Sequence, residues 1–323
     1  MPGNPSEQYE VTVIGGGCAG LSAAMYSGRF QLKTLVIADL LGGTITLTDV
    51  VENYPGFVRL SGYDLAKKLE EHARDYPTVE FEEAKANKVT KCDEHPPTCW
   101  VIQTSEKQFH SKTIIFATGT EWRKLNVPGE KEYSNRGVHW CALCDGSFYK
   151  EKTVGIVGGS DSAAKDALLL TQWAKKVYII YRGEKIRPEP INLKRVEQNQ
   201  KIEVINNANV LEIKGENNKV NKVVLDRAVN GGREFPLDAV FIAIGHNLLS
   251  QLAKDLGVAV NRKEEIIIDR LARTNVPGLF AAGDVVDTEF KQAITGAAEG
   301  VLASYSAYQH VKNEAVLTSS DSH

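Results

Sequence analysis

The chain has 323 residues, 42% of them hydrophobic, and its 38 Lys plus Arg against 41 Asp plus Glu leave a net charge of −3. That length and apolar content suffice for two domains, each with its own core, and the absence of a basic block that could neutralise a run of phosphates argues against nucleic acid. No apolar run approaches the roughly 20 residues of a membrane span and the opening MPGNPSEQYE lacks the charged and apolar regions of a leader, so a cytoplasmic protein with no membrane contact is expected.

In chain order, VTVIGGG reads as a strand running into a glycine turn, CAGLSAAMYSGRF as a helix, and TLVIA as a second, parallel strand. Gly15, Gly17 and Gly20 have the spacing G-x-G-x-x-G, in which missing Cβ atoms allow the turn, the approach of a pyrophosphate and close helix packing. A ribose-binding carboxylate is expected about 20 residues further on, and Asp39 is the nearest candidate. Cys92 and Cys99 flank a Pro-Pro pair and read as unpaired. The apolar run TIIFATG closes the segment at Thr118 and Gly119.

The same plan then recurs. TVGIVGGS, DSAAKDALLLTQWA and KVYIIY read as strand, helix and strand, with Gly158, Ser160 and Ala163 in the three key positions, so that a serine replaces the middle glycine. Arg182 and Arg187 follow the second strand, where guanidinium groups can grip a 2′-phosphate or simply be solvated. AVFIAIG closes this copy at Gly245. Beyond it come the strand-like run IIID, a turn at Asn275 to Gly278, LFAAGDVVD and an apolar helix starting near Gln292, a portion too small for a third domain and expected to complete the first. The expected fold is α/β, with two Rossmann-like dinucleotide-binding domains: residues 1–120 and 246–323 form a discontinuous domain, interrupted by residues 121–245.

The cysteines number five, an odd count that does not suggest a disulfide framework. Cys141 and Cys144 in WCALCDG have C-x-x-C spacing, which places two sulfurs within disulfide reach. Asp145 directly after them can supply or remove a proton as a thiolate leaves. A four-cysteine zinc site needs a second close pair, none is evident, and no metal is expected. His139 and His246 read as packing or backbone-bonded histidines, and Trp140 as a surface or docking aromatic. Nicotinamide hydride and disulfide both exchange two electrons, and a flavin bridges them, so an FAD unit, a nicotinamide unit and a C-x-x-C pair make one electron path.

The segments GGGCAG, LLGGTITLTDVVENYPGF, ATGTEWRKLNVPGE, WCALCDG, VGGSDSA, AIGH and GLFAAGDVVDTEFKQAITGAAEG, in this order, resemble the low-molecular-weight thioredoxin reductase family from about Tyr9 to about Lys312. The resemblance implies a homodimer with FAD and NADPH or NADH, reducing thioredoxin or a thioredoxin-like protein, with Cys144 nearer the flavin, Asp145 as proton donor, and a domain rotation about crossings near Glu121 and Gly245. It places Gly42, Gly43, Thr48 and Asn53 around the flavin, Gly283 and Asp284 at its ribityl and pyrophosphate end, and Gln292 and Ala293 near the isoalloxazine. Lys291 stands where the family usually has arginine, and Tyr181 and Gly183 where it has histidine and a second arginine. Those last departures, with Ser160, leave open ferredoxin or another flavin as electron donor; a flavin-dependent dithiol oxidase is a further alternative.

Overall fold

The computed structural model describes residues 8–48, 50–92 and 99–320, with side chains described as far as residue 313. The backbone divides into two compact units, Met1–Thr120 with Leu248–His323, and Glu121–Asn247. The chain passes between these units at Thr120/Glu121 and again at Asn247/Leu248.

In the first unit, β1 (Tyr9–Ile14) leads into α1 (Cys18–Arg29) and β2 (Thr34–Ile37); α2 (Gly62–Arg74), β3 (Val79–Glu82), β4 (Lys88–Lys91), β5 (Trp100–Gln103) and β6 (Gln108–Phe116) follow. Among the described residues the strand order is β3-β2-β1-β6-β5-β4. The pairs β3-β2, β2-β1 and β1-β6 are parallel, whereas β6-β5 and β5-β4 are antiparallel. Strand β1 is buried at every residue except Glu10 because both sheet faces are covered: Val11 and Val13 pack with Ala19, Ala23 and Ala303, whereas Ile14 packs on the other side with Phe116 and Ile102. The chain leaves β1 toward β2 on one side and later places β6 on the other, so the turn after β1 lies at a topological switch point, where such sheets bind nucleotides.

The first crossing between the units falls within β7 (Thr120–Trp122). The second unit holds β8 (Val138–His139), α3 (Ala142–Asp145), β9 (Thr153–Val157), α4 (Asp161–Leu170), β10 (Lys176–Ile180), α5 (Pro190–Gln198), β11 (Ile202–Ile205), β12 (Val210–Glu216), β13 (Lys219–Val229), β14 (Gly232–Pro236) and β15 (Ala239–Ile242). Its parallel sheet has the order β11-β10-β9-β15-β8, and β12-β13-β14 form a separate antiparallel sheet. β9 therefore occupies the place of β1, with its own switch point. The repeat read in the sequence is a repeat in space.

After β16 (His246–Leu248) the chain adds α6 (Gln251–Lys254), β17 (Leu279–Ala281), which pairs parallel with β6, and α7 (Ala293–Ser320). Helix α7 packs on α1 through small residues; a Cβ at Gly300 would meet the Ala19 carbonyl oxygen at 2.1 Å, and Ser27 and Ser304 hydroxyls bond at 2.9 Å. The run IIID is not a strand. Ile266 makes isolated bridges to Val260 and Val286, and only its side chain is fully buried, Ile267 being 42% exposed. The tail residues beyond Ser320 lie outside the described part.

Candidate functional site

The turn after β1 is built by three glycines with different tasks. Gly15 has φ +114°, and a Cβ there would meet the Ala117 carbonyl oxygen at 2.1 Å. A Cβ at Gly20 would lie 1.9 Å from the Gly15 carbonyl oxygen, so this position lets helix and turn touch. At Gly17 a Cβ would meet nothing within 4 Å. Gly17 caps α1 without a side chain, and the first helical turn carries no acidic residue, so the helix presents open N–H groups beside empty space. These features fit the pyrophosphate of a dinucleotide.

Of the other expected flavin neighbours of the same unit, Gly42, Gly43 and Gly283 pack against this turn and the start of α1. The Gly42 N–H bonds to the Gly16 carbonyl at 2.8 Å, and a Cβ at Gly43 would lie 2.9 Å from Gly17 Cα. Thr48 ends the 3-10 turn Gly43–Leu47 and accepts from the Gly62 N–H. The Asn53 amide donates to Gln292 Oε1 at 2.9 Å, with Ala293 next in the chain as the first residue of α7. Gly283, with φ +83°, packs against Ala19 and gives its N–H to Glu299 Oε2 at 2.8 Å. Thr118 Oγ1 donates to the Leu249 carbonyl, and Gly119 follows with φ +62°. Asp39 is exposed just beyond β2.

Sequence reasoning missed three residues of this region. Glu299 ties Gly283 to Thr288, whose hydroxyl it also accepts. Glu265 pairs with Lys291 at 2.8 Å, while Lys291 Nζ also bonds the carbonyls of Asp284 and Val286; the lysine thus braces the Gly283–Asp284 turn. Cys18, unpaired among the described residues, has its thiol pushed up to about 11 by burial and by Asp284, so it stays protonated at neutral pH.

In the second unit the corresponding turn is differently furnished. Gly158, with φ +150°, would place a Cβ 2.1 Å from the Ala243 carbonyl oxygen, and Ala163 is fully buried beneath it. Ser160 caps α4, its hydroxyl accepting from the Ala163 N–H at 3.4 Å, and so occupies a donor that the open turn of α1 leaves available. The Tyr181 ring lies against the turn: Cβ atoms at Gly159 and Gly183 would approach it to 2.4 and 2.7 Å. Arg182 and Arg187 are exposed, and the Arg187 N–H bonds to the Gly159 carbonyl at 2.7 Å. The turn fits a dinucleotide in its backbone but is narrowed by an aromatic ring and a serine.

Cys141 and Cys144 form a disulfide, with Cα atoms 5.4 Å apart. Cys141 caps the one-turn helix α3, so the Cys144 N–H donates to its Sγ at 3.1 Å; Cys141 is buried and Cys144 exposed. Asp145 Oδ2 lies 3.0 Å from His139 Nδ1, within ion-pair reach but off the line of a good hydrogen bond, and His139 Nε2 bonds the Tyr149 hydroxyl at 2.7 Å. His139 is therefore more than the packing residue expected: although stacked on Phe241, it joins Asp145 to Tyr149. Trp140 packs against the apolar core of this unit and is no free surface aromatic. His246 contributes a backbone carbonyl to the Arg123 guanidinium, as the sequence reading allowed.

Burial holds the His139 imidazole below its usual pKa, against the upward pull of Asp145, and burial pushes the Tyr149 hydroxyl up to about 12. By linkage, the unfolded chain binds this proton more readily than the folded one, so stability declines as pH falls below about 6.5. His139→Gln is expected to flatten that decline. Thermal midpoints of both proteins between about pH 5 and pH 7.5 check this, and parallel curves would remove His139 as the cause.

A second disulfide corrects the sequence reading. Cys92 and Cys99, expected to be unpaired, are joined, with Cα atoms 5.2 Å apart. The reason lies in strand pairing, which local spacing did not reveal. The Cys92 N–H donates to the Cys99 carbonyl at 2.9 Å, immediately beyond the β4–β5 register. His110 stands beside both sulfurs, so this pair too has the composition of a redox-active disulfide.

Two nucleotide turns at switch points and a C-x-x-C disulfide next to an acid define a flavin- and pyridine-nucleotide-dependent disulfide oxidoreductase. The profile of the pyridine nucleotide-disulphide oxidoreductase family matches residues 9–300. The chain is 38% identical to the thioredoxin reductase of Bacillus subtilis (strain 168) over 306 residues, 94% of this chain and 95% of that one. Among solved structures, thioredoxin reductase of Lactococcus lactis superposes with a TM-score of 0.89 at 36% identity, covering 95% of this chain and 100% of that one. That of T. acidophilum gives 0.86 at 32%, covering 94% and 98%. The chain belongs to the pyridine nucleotide-disulphide oxidoreductase family, within its thioredoxin reductase branch. Among the described residues, no helix is long and apolar enough to cross a membrane.

Proposed function

We propose that this enzyme takes electrons from NADPH or NADH, by way of FAD held in the first unit, to the Cys141–Cys144 disulfide in the second, and that the resulting dithiol reduces thioredoxin or a similar small protein. The observation that carries this reading is the joining of Cys141 and Cys144 directly before an aspartate that lies 3.0 Å from His139, itself bonded to Tyr149. A cytoplasmic homodimer is the expected working form.

Gly15, Gly17 and Gly20 with the N–H groups of α1 would hold the FAD pyrophosphate, Asp39 its ribose, and Gly42, Gly43, Thr48, Asn53, Thr118, Gly119, Gly283, Asp284, Gln292 and Ala293 the rest. Gly158, Ser160, Ala163, Arg182 and Arg187 would hold the nicotinamide nucleotide. When bound, the flavin supplies two-electron exchange between a nicotinamide and a disulfide. The chain's own groups manage the thiol chemistry. In the dithiol form, the Cys144 N–H, which now faces Cys141 Sγ, favours a thiolate there. Asp145 carries the proton that a departing thiolate needs, and His139 fixes the direction of its carboxylate. Oxidation of the dithiol to a disulfide releases two electrons and two protons, which the substrate disulfide takes up as two thiols.

A second reading keeps this chemistry and replaces the nicotinamide with reduced ferredoxin. It is favoured by Tyr181 against Gly159 and by the Ser160 cap. Anaerobic addition of NADPH, NADH and reduced ferredoxin in turn, with flavin absorbance as the readout, separates the two. Bleaching by a nicotinamide nucleotide is the expected result; bleaching by ferredoxin alone would move the donor assignment to the second reading.

A further inference from the structure

We propose that Cys92, Cys99 and His110 form a redox-gated site for a thiophilic divalent cation such as Zn²⁺, closed by the disulfide and opened by its reduction. The site follows from register. Cys92 and Cys99 are a cross-strand pair one step beyond Lys91 and Trp100. β5 and β6 set Val101 opposite His110. Side chains alternate between faces along a strand, so Cys99, Val101 and His110 share one face, and Cys92, directly opposite Cys99, shares it too.

The distances suit a metal. His110 Nδ1 lies 3.7 Å from Cys92 Sγ and 3.8 Å from Cys99 Sγ, and the three donor atoms all fall within 4.8 Å of one another. Zinc held at about 2.3 Å from sulfur and about 2.0 Å from nitrogen, with tetrahedral angles, needs sulfur and nitrogen about 3.5 Å apart. Only the sulfur atoms must separate. His110 Nε2 is buried with no partner among the described residues, which leaves Nδ1 as the nitrogen turned toward the sulfurs. Cys99 is 2% exposed, whereas Cys92 and His110 are partly exposed, so the site is walled on one side and reachable on the other.

The chemistry balances as thiol–disulfide exchange followed by ligation. A dithiol reductant closes into its own disulfide while Cys92 and Cys99 each gain an electron and a proton; the cation then displaces both protons and binds two thiolates and a neutral imidazole, with water in the fourth position. Exchange with an oxidised disulfide such as oxidised glutathione, which takes up the two electrons and leaves as two thiols, returns Cys92 and Cys99 to their disulfide, removes two of the three ligands and expels the cation.

The test uses the full flavin-loaded chain carrying Cys141→Ser and Cys144→Ser, so that the other sulfur pair takes no part. After reduction with dithiothreitol and its anaerobic removal, Co²⁺ alone is added. A thiolate-to-cobalt charge-transfer band saturating at about one equivalent per chain is expected, displaced by Zn²⁺ and abolished by reoxidation. Adding Cys92→Ser should eliminate the band, and His110→Ala should weaken binding by about tenfold or more. Flavin absorbance reports that each variant is folded. No band after reduction, or a band that survives Cys92→Ser, would overturn the site, and unchanged affinity in His110→Ala would remove the imidazole from it.

Discussion

Cys141→Ser and Cys144→Ser, made singly, are each expected to lower reduction of a thioredoxin-type disulfide by about 10³-fold or more while the flavin is still bleached by its electron donor. One remaining thiol can attack a disulfide but cannot resolve the mixed disulfide that results, and it cannot accept two electrons as a disulfide. Asp145→Asn should cost less, about 10²-fold, because proton transfer is slowed and not abolished. The checks are steady-state turnover with a thioredoxin substrate and stopped-flow bleaching of the flavin in the same preparations. Turnover near the wild-type rate in either serine variant would move the redox role elsewhere, and the Cys92–Cys99 pair beside His110 would be its next candidate.

Gly20→Ala and Gly17→Ala should separate folding from cofactor binding. At Gly20 the added methyl would sit 1.9 Å from a backbone oxygen, so turn and helix must part, at a cost of about 3 kcal/mol or more. At Gly17, where φ is −75° and a Cβ meets nothing within 4 Å, alanine fits the protein and intrudes only on the space of a pyrophosphate. The flavin-stripped Gly20→Ala protein should therefore melt well below wild type. Stripped Gly17→Ala should melt with wild type but bind FAD about tenfold or more weakly. Melting by circular dichroism and FAD titration distinguish these outcomes; equal melting of Gly20→Ala and wild type would contradict the packing argument.

The presence of two dinucleotide-type α/β units was legible because each strand–turn–helix signature is local. Val11 to Ile14 and Val154 to Val157 carry no charged residue and are buried at every position because both sheet faces are covered, and the following glycines mark the turns. The C-x-x-C pair was legible for the same reason, since its geometry is fixed within four residues. What escaped detection depends on distant strands. Cys92 meets Cys99 through antiparallel pairing, and His110 joins them from a third strand. His139 looked like a packing residue because its partners, Asp145 and Tyr149, come from the helical turns that follow β8. Glu265, the partner of Lys291, directly precedes the run IIID, whose sequence suggested a strand and where Ile266 makes only isolated bridges.

The Cys141–Cys144 disulfide should accept an electron pair in addition to the flavin's. Anaerobic titration of the flavin-loaded wild type and of the protein with both cysteines replaced by serine, each to the point where further reductant is no longer consumed, counts that pair directly. The wild type should take up about two electrons more per chain. Equal uptake by the two proteins would contradict it.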